Sequence, residues 1–206
     1  MWKPIIQRAF RIRRHYILSL DNPQYIKDDA RNADFVIEHI TSDNVHRVAE
    51  FRSQKQAETF HRFLQQGQVG IYALLNSKVV GHAWAYICRQ SHCRVNGYMD
   101  IRQGEAFIHY CNVSENQRGQ NIFPTMLVAL CHRLFSQEGI SRVLIDTESD
   151  NIASLRAHLK VGFEPRGVGT YIQLGGRLLF KRFTSLNNVP ATEARKRLVK
   201  NGKSGL

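Results

Sequence analysis

Acidic side chains are scarce in this sequence: 17 Asp and Glu stand against 29 Lys and Arg, for a net charge of +12. Such an excess favours anionic partners, but its distribution argues against that for the body of the chain. Residues 1–16 carry Lys3, Arg8, Arg11, Arg13 and Arg14 with no acid, and residues 190–206 carry Arg195, Lys196, Arg197, Lys200 and Lys203 against Glu193. Only +3 remains for everything between, so specific nucleic-acid binding is not expected. Long apolar runs are missing too, for nothing approaches the roughly 18 consecutive apolar residues of a membrane-spanning helix. The start lacks the apolar stretch and small-residue cleavage site of a secretory signal, and a cytoplasmic location is expected. Cysteine is sparse. Cys88, Cys93, Cys111 and Cys131 are the only four, and in that compartment they are expected to be reduced. Cys88, His92 and Cys93 have no second ligand pair at zinc spacing, so no metal is expected. GxxxxGK[ST] and GxGxxG are also absent, which excludes a Walker A loop and a dinucleotide fingerprint.

What is present is the patterning of one mixed α/β domain. At 206 residues the chain can bury one sizeable core. Residues 1–33 read as a basic amphipathic extension, with Trp2, Ile5, Ile6, Ala9 and Phe10 at helical spacing. Two readings of it stay open: packing on the domain, or lying on an anionic membrane surface. Residues 34–183 carry the domain itself. A strand is expected at 35–40, helix over 43–66, and a hairpin of 69–75 with 78–88. Residues 89–104 read as a polar excursion, and 104–113 as the next strand. Helix then runs to about 138, followed by a strand at 142–149 and a helix closing on Gly162. A last hairpin joins 170–174 to 177–183, and residues 184–206 form a basic tail read as a surface helix or as disordered. The strand–helix–strand unit spanning 105–148 requires at least one parallel strand pair.

The stretch NVSENQRGQNIFPTMLVALCHRL (112–134) passes from strand through a polar junction into an amphipathic helix. Ligands of open α/β sheets sit off the carboxyl ends of strands, where a helix N-terminus offers free N–H groups and a positive dipole end. Gly119 permits close backbone approach and Arg118 adds charge, so the junction is a candidate anion site. VSENQRGQNIFPTML (113–127) resembles the acetyl-CoA pyrophosphate loop of the GNAT superfamily of acyl-CoA N-acyltransferases. NIASLRAHLKVGFEPRG (151–167) resembles that family's second signature, with Asn151, Ser154, His158, Gly162 and Phe163 at its positions. The element order is similar to the family's over about residues 34–183. Where the family has later glycines this chain has Asn121 and Phe123; Asn tolerates the left-handed region better than most residues.

The resemblance implies a mostly antiparallel sheet with a central, splayed parallel pair flanked by helices. It implies an N-acetyltransferase that uses acetyl-CoA as co-substrate and acts by direct attack in a ternary complex, which leaves no role for Cys111 as a nucleophile. Backbone N–H groups of Arg118, Gly119, Gln120, Asn121 and Ile122 would cradle the pyrophosphate, and Cys111, Asn112 and Val113 would pair with the pantetheine arm. Asn151 and Ser154 would touch the cofactor or cap their helix. His158 takes the position of the family's general acid toward sulfur, which an imidazolium can serve. Strand alternation puts Glu105, Phe107, His109 and Cys111 on one side of 105–113, and His109, then Glu105, are the candidate bases. Asp146 and Glu148 could also meet the amine, and Tyr110 could shape its pocket. Residues 43–66 and 89–104, with Arg89, His92, Arg94, Tyr98, Asp100 and Arg102, would wall the acceptor site. The expected acceptor is a polar small-molecule amine such as an amino sugar, amino acid or polyamine. A protein N-terminus or lysine, a non-catalytic CoA-binding module, and assembly as a homodimer stay open.

Overall fold

The computed structural model describes residues 10–27, 35–95, 99–174 and 177–186, and Glu193, Ala194, Lys196 and Leu198 of the tail. Its strands are β1 (Phe10–Leu20), β2 (Phe35–His39), β3 (Val69–Leu75), β4 (Lys78–Ile87), β5 (His92–Val95), β6 (Met99–Arg102), β7 (Glu105–Val113), β8 (Arg142–Glu148), β9 (Glu164–Leu174) and β10 (Arg177–Ser185). Its α-helices are α1 (Lys55–Gln65), α2 (Ile122–Phe135) and α3 (Ile152–Val161). Eight strands form one sheet in the order β10-β9-β1-β8-β7-β4-β3-β2, and β5 pairs with β6 separately. Among the described residues only β7 and β8 run parallel, and all other neighbours are antiparallel.

The main core lies between the sheet and α2 and α3, where Leu18, Ile108, Met126, Leu130, Ile145, Leu155 and Phe163 are fully or almost fully buried. On the opposite face α1 and the 3₁₀ turn at Val45–Glu50 cover β3 and β4 through Val48, Phe60, Tyr72 and Trp84. The β5–β6 hairpin covers β1, β7 and β8 on that same side through Cys93, Val95, Met99 and Ile101, which meet Ile17 and Phe107. α3 ends at Gly162, whose φ of 112° and whose approach to the Tyr25 carbonyl leave no room for a Cβ.

Four expectations are corrected here. Residues 1–9 lie outside the described residues, but from Phe10 onward the basic amphipathic segment is neither a helix nor an appendage. It is β1, inserted between β8 and β9. Tyr16, Ile17, Leu18 and Leu20 are all buried because a central strand is covered on both faces. Second, 89–104 is not simply a polar excursion. Its alternation is that of a hairpin, with Cys93, Val95, Met99 and Ile101 inward and His92, Arg94, Asp100 and Arg102 outward. Arg94, His92 and Lys181 pair with Asp100 on that outer face, and Tyr98 lies outside the described residues. Third, the turn after β4 brings the Cα atoms of Cys88 and Cys93 to 5.7 Å, within disulfide reach, and the two are bonded. Fourth, the expected single helix at 43–66 is a 3₁₀ turn and α1, separated at Phe51–Gln54. In the tail, Ala194 and Leu198 are helical and buried, and Leu198 reaches the main core. Among the described residues no helix is long and apolar enough to cross a membrane.

If β1 is part of the core, Leu18→Ala costs about 2–5 kcal/mol of unfolding free energy in urea titrations. A loss of only a few tenths would mean that β1 merely lies along the domain.

Candidate functional site

β7 and β8 share four register positions, Glu105 with Arg142 to Ile108 with Ile145, and then part. The cause lies on the other side of β7. Against β4, Trp84 pairs with His109 and His82 with Asn112, so Tyr110 and Cys111 together face Ala83 alone. Tyr110 takes a φ of 52° to make this bulge, a conformation that costs on the order of 1–3 kcal/mol for a non-glycine residue. The bulge turns β7 away from β8 and, among the described residues, leaves its edge without a strand partner from His109 to Val113. A cleft of about 980 Å³ opens at the carboxyl ends of the two strands.

One end of the cleft is built from backbone amides and cations. After a short 3₁₀ turn, Arg118 is extended, Gly119 has φ 84° and Asn121 has φ 58°, and α2 begins at Ile122, its first turn bordering the cleft through Ile122, Phe123 and Pro124. A Cβ at Gly119 would meet nothing within 4 Å, so the space beside it is open. Asn121 does adopt the left-handed conformation, and Lys160 of α3 holds its Oδ1 at 3.0 Å. Arg118, Arg156 and Lys160 line the cleft. Asn151 caps α3, its Oδ1 accepting from Ser154 N at 3.1 Å, and both residues face the cleft.

His158 sits in the wall between α2 and α3, 1% exposed, with Phe123 edge-on at 5.6 Å. Its Nε2 is 3.4 Å from Ser154 Oγ, while Nδ1 is buried without a hydrogen-bond partner among the described residues. Burial depresses its pKa to about 4, only partly offset by the Asp146 charge, and the ring is neutral at pH 7. His109 is treated likewise: burial lowers it to about 4, its Nε2 bonds Gln68 Oε1 at 2.7 Å, and its ring stacks on Phe107. Cys111 borders the cleft with its thiol pushed up to about 12 by burial, so it holds no thiolate. Two carboxylates of β8 also line the cleft. Asp146 Oδ2 meets His15 Nδ1 at 2.8 Å, and Glu148 pairs with Arg13 at 3.0 Å.

The fold thus brings together His158, His109, Cys111, Asn112, Val113, Arg118, Gly119, Asn121, Ile122, Asn151 and Ser154 around one cleft. It does not bring Glu105. That carboxylate stands at the paired end of the strands, bonded to Arg142 at 2.8 Å and to the Arg102 N–H. The Gln120 side chain turns to Gln117. The bulge also reverses the expected alternation: Tyr110 joins His109 against Phe63 and stacks on His82, while Cys111 turns to the helical core. His15 was missed, and no signal short of placing β1 beside β8 could have found it.

A sheet whose one parallel pair splays over an amide-lined cleft is the N-acetyltransferase architecture. The profile of the Acetyltransferase (GNAT) family matches residues 29–163, and the chain belongs to that family. β1, β9 and β10 lie outside the matched residues. Among solved structures, a conserved protein of unknown function from Staphylococcus epidermidis ATCC 12228 superposes with a TM-score of 0.58 at 16% identity, over 84% of this chain and 66% of that one. A GCN5-related N-acetyltransferase-like protein from Streptococcus suis 89/1591 gives 0.58 at 14%, over 84% and 65%. The aminoglycoside N-acetyltransferase AAC(6')-Iy, in complex with the bisubstrate analogue CoA-S-monomethyl-acetylneamine, gives 0.51 at 20%, over 64% and 92%. These likenesses show the fold. No curated protein matches the sequence.

The buried neutral histidines link folding to pH. His158 and His109 bind a proton more weakly folded than unfolded, so the unfolded chain takes up more protons between about pH 6.5 and pH 4. Stability is therefore full above that window and falls as pH drops through it, by roughly 3 kcal/mol for each such group. His158→Gln flattens this slope in urea titrations across the window, and an unchanged slope would show that the ring is already charged in the folded protein.

Proposed function

We propose that this protein transfers an acetyl group from acetyl-CoA to a primary amine of a polar small molecule, such as an amino sugar, amino acid or polyamine. The observation that carries the reading is the polarity of the cleft. The 118–122 loop, Arg118 and Lys160 line the cleft where Lys160 holds Asn121, and Asp146 lines it at the first position of β8 past the split from β7. A diphosphate suits the amides and cations of the loop, and an ammonium suits the carboxylate at the split.

The residues present fit the co-substrate. The space at Gly119 that a side chain would occupy is open, and the unpartnered edge of β7 offers the ladder that an extended amide-bearing arm completes as an added strand. In this reading the N–H groups from Gly119 to Ile122 hold the diphosphate, the Arg118 N–H being already given to the Glu115 carbonyl, and Cys111 to Val113 bond the pantetheine arm. Asn151 and Ser154 fix the adjoining wall. His158, neutral because it is buried, directs an N–H at the sulfur and steadies the departing thiolate. A backbone N–H near Cys111 or Asn112 polarises the thioester carbonyl. His109 and Tyr110 shape the acceptor side, where α1 supplies Gln56 to the Tyr110 hydroxyl at 2.6 Å.

The test pairs binding with chemistry. Acetyl-CoA binds the wild-type chain by titration calorimetry, and a panel of amines identifies an acceptor by release of free thiol. Gly119→Glu lowers acetyl-CoA affinity by about 100-fold or more, or ~2.8 kcal/mol. The same change strains a positive-φ position by about 1–2 kcal/mol and leaves a cooperatively folded protein. Unchanged affinity in this variant would remove the diphosphate from the 118–122 loop. Binding without thiol release for any amine would leave a CoA-binding module in place of an enzyme.

A further inference from the structure

β1 lies outside the residues that the family profile matches, yet it reaches into the cleft. The strand runs antiparallel to β8 with His15 opposite Glu148 and Ile17 opposite Asp146. His15 and Asp146 are therefore diagonal neighbours on one face, close enough to bond across the strands. Their bond is 2.8 Å, both side chains are about nine-tenths buried, at 11% and 12% exposed, and both border the cleft. Asp146 is also the first residue of β8 past its last pair with β7, as His109 is for β7. The carboxylate thus stands at the mouth of the split, where an acceptor amine has to arrive to reach the thioester carbon.

We propose that His15, oriented by Asp146, is the base that takes the proton from the acceptor ammonium. This rests on the acetyl-transfer reading above. A carboxylate only accepts hydrogen bonds, so the contact places the ring hydrogen on Nδ1 and the lone pair of the neutral imidazole on Nε2. Tyr171 on β9 packs against the imidazole in a T-shaped contact, ring centroids 5.5 Å apart. His109 is the worse base: among the described residues no carboxylate hydrogen-bonds its ring, and burial holds its affinity for a proton down. Glu148 is engaged by Arg13 and nearly half exposed. The titratable and charged groups around the pair are Glu148 on β8, Arg13 on β1, Tyr171 on β9, His109 on β7 and His158 on α3.

The step balances as follows. One ammonium proton passes to His15 Nε2, and the imidazolium formed is stabilised by Asp146. The freed nitrogen lone pair forms the N–C bond with the thioester carbonyl carbon. The C–S bond breaks with its electron pair going to sulfur, and a second nitrogen proton ends on that sulfur as thiol. His15 then hands its proton to solvent, so amide, free thiol and one net proton leave. His15 is a catalytic residue in this account and Asp146 a positioning residue.

The experiment measures thiol release from acetyl-CoA against pH, once with a pool of glucosamine, neamine, spermidine and lysine, and once with water as the only acceptor. Acetyl-CoA affinity and thermal melting are followed alongside for wild type, His15→Asn, His15→Gln and Asp146→Asn. His15→Asn loses about 100-fold in rate near neutrality. The deficit shrinks toward about pH 10, where the amines are already deprotonated without help, and acetyl-CoA binding stays at the wild-type level. Asp146→Asn shows the same pH profile with a smaller loss. A wild-type rate and profile in both His15 variants, with acetyl-CoA bound, overturns the assignment and leaves acetyl transfer standing. A loss equal at every pH overturns it as well, because that marks a structural role. If His15→Asn does not melt cooperatively, His15→Gln and Asp146→Asn carry the test. A wild-type chain that neither binds acetyl-CoA nor releases thiol fails the acetyl-transfer reading itself, and this proposal falls with it.

Discussion

The place where β7 and β8 stop pairing governs the rest of the molecule. Four register positions hold the parallel pair at its amino ends, and the Tyr110 bulge against β4 carries β7 away beyond Ile108. Strand edges are normally paired or covered because unpaired backbone groups are costly away from water. Here an edge is opened in the middle of an eight-stranded sheet, and the strained φ of Tyr110 is held by packing on His82, Phe60 and Phe63 and by its bond to Gln56. α1 therefore has a structural task at the site although the cleft is lined mainly by β7, β8, α2 and α3. Strain of this kind persists only where its surroundings over-determine it, which is characteristic of functional sites.

The cleft that opens at the split carries both signs of charge. The start of α2, Arg118, Arg156 and Lys160 line it, and so do Asp146 and Glu148. His158 and His109 are kept uncharged by burial, so they contribute N–H groups and lone pairs in preference to fixed charge. Family membership accounts for α2, its preceding loop and α3, all within residues 29–163. The acceptor end is different. Its carboxylates belong to β8, but their partners Arg13 and His15 come from β1, outside the matched residues.

Much of this was legible in the residue pattern. The helical periodicity of 122–135, the Asn151 cap, the Gly162 stop and the hairpin of β3 and β4 all have local causes, and local causes can be read locally. The left-handed Asn121 was legible because few residues other than glycine accept that conformation. Three features resisted. The alternation of β7 was read through to Cys111, but the bulge depends on how β4 opposes it, which is a tertiary fact. β1 was hidden because Arg14 breaks the apolar side of Ile12, Tyr16 and Leu18 next to a stretch of helical spacing, and only its neighbours β8 and β9 decide between the two periods. The β5–β6 hairpin was hidden by its outward His92, Arg94, Asp100 and Arg102, whose polarity concealed the inward-facing half of the strands.

The most direct test is amide hydrogen exchange on the full chain with and without acetyl-CoA. The account predicts that exchange slows at two separate stretches, the free edge of β7 at residues 109–113 and the loop entering α2 at residues 118–122, while the already paired residues 105–108 change little. Bound acetyl-CoA that leaves both stretches exchanging as before, or that protects a different face of the sheet, would contradict it.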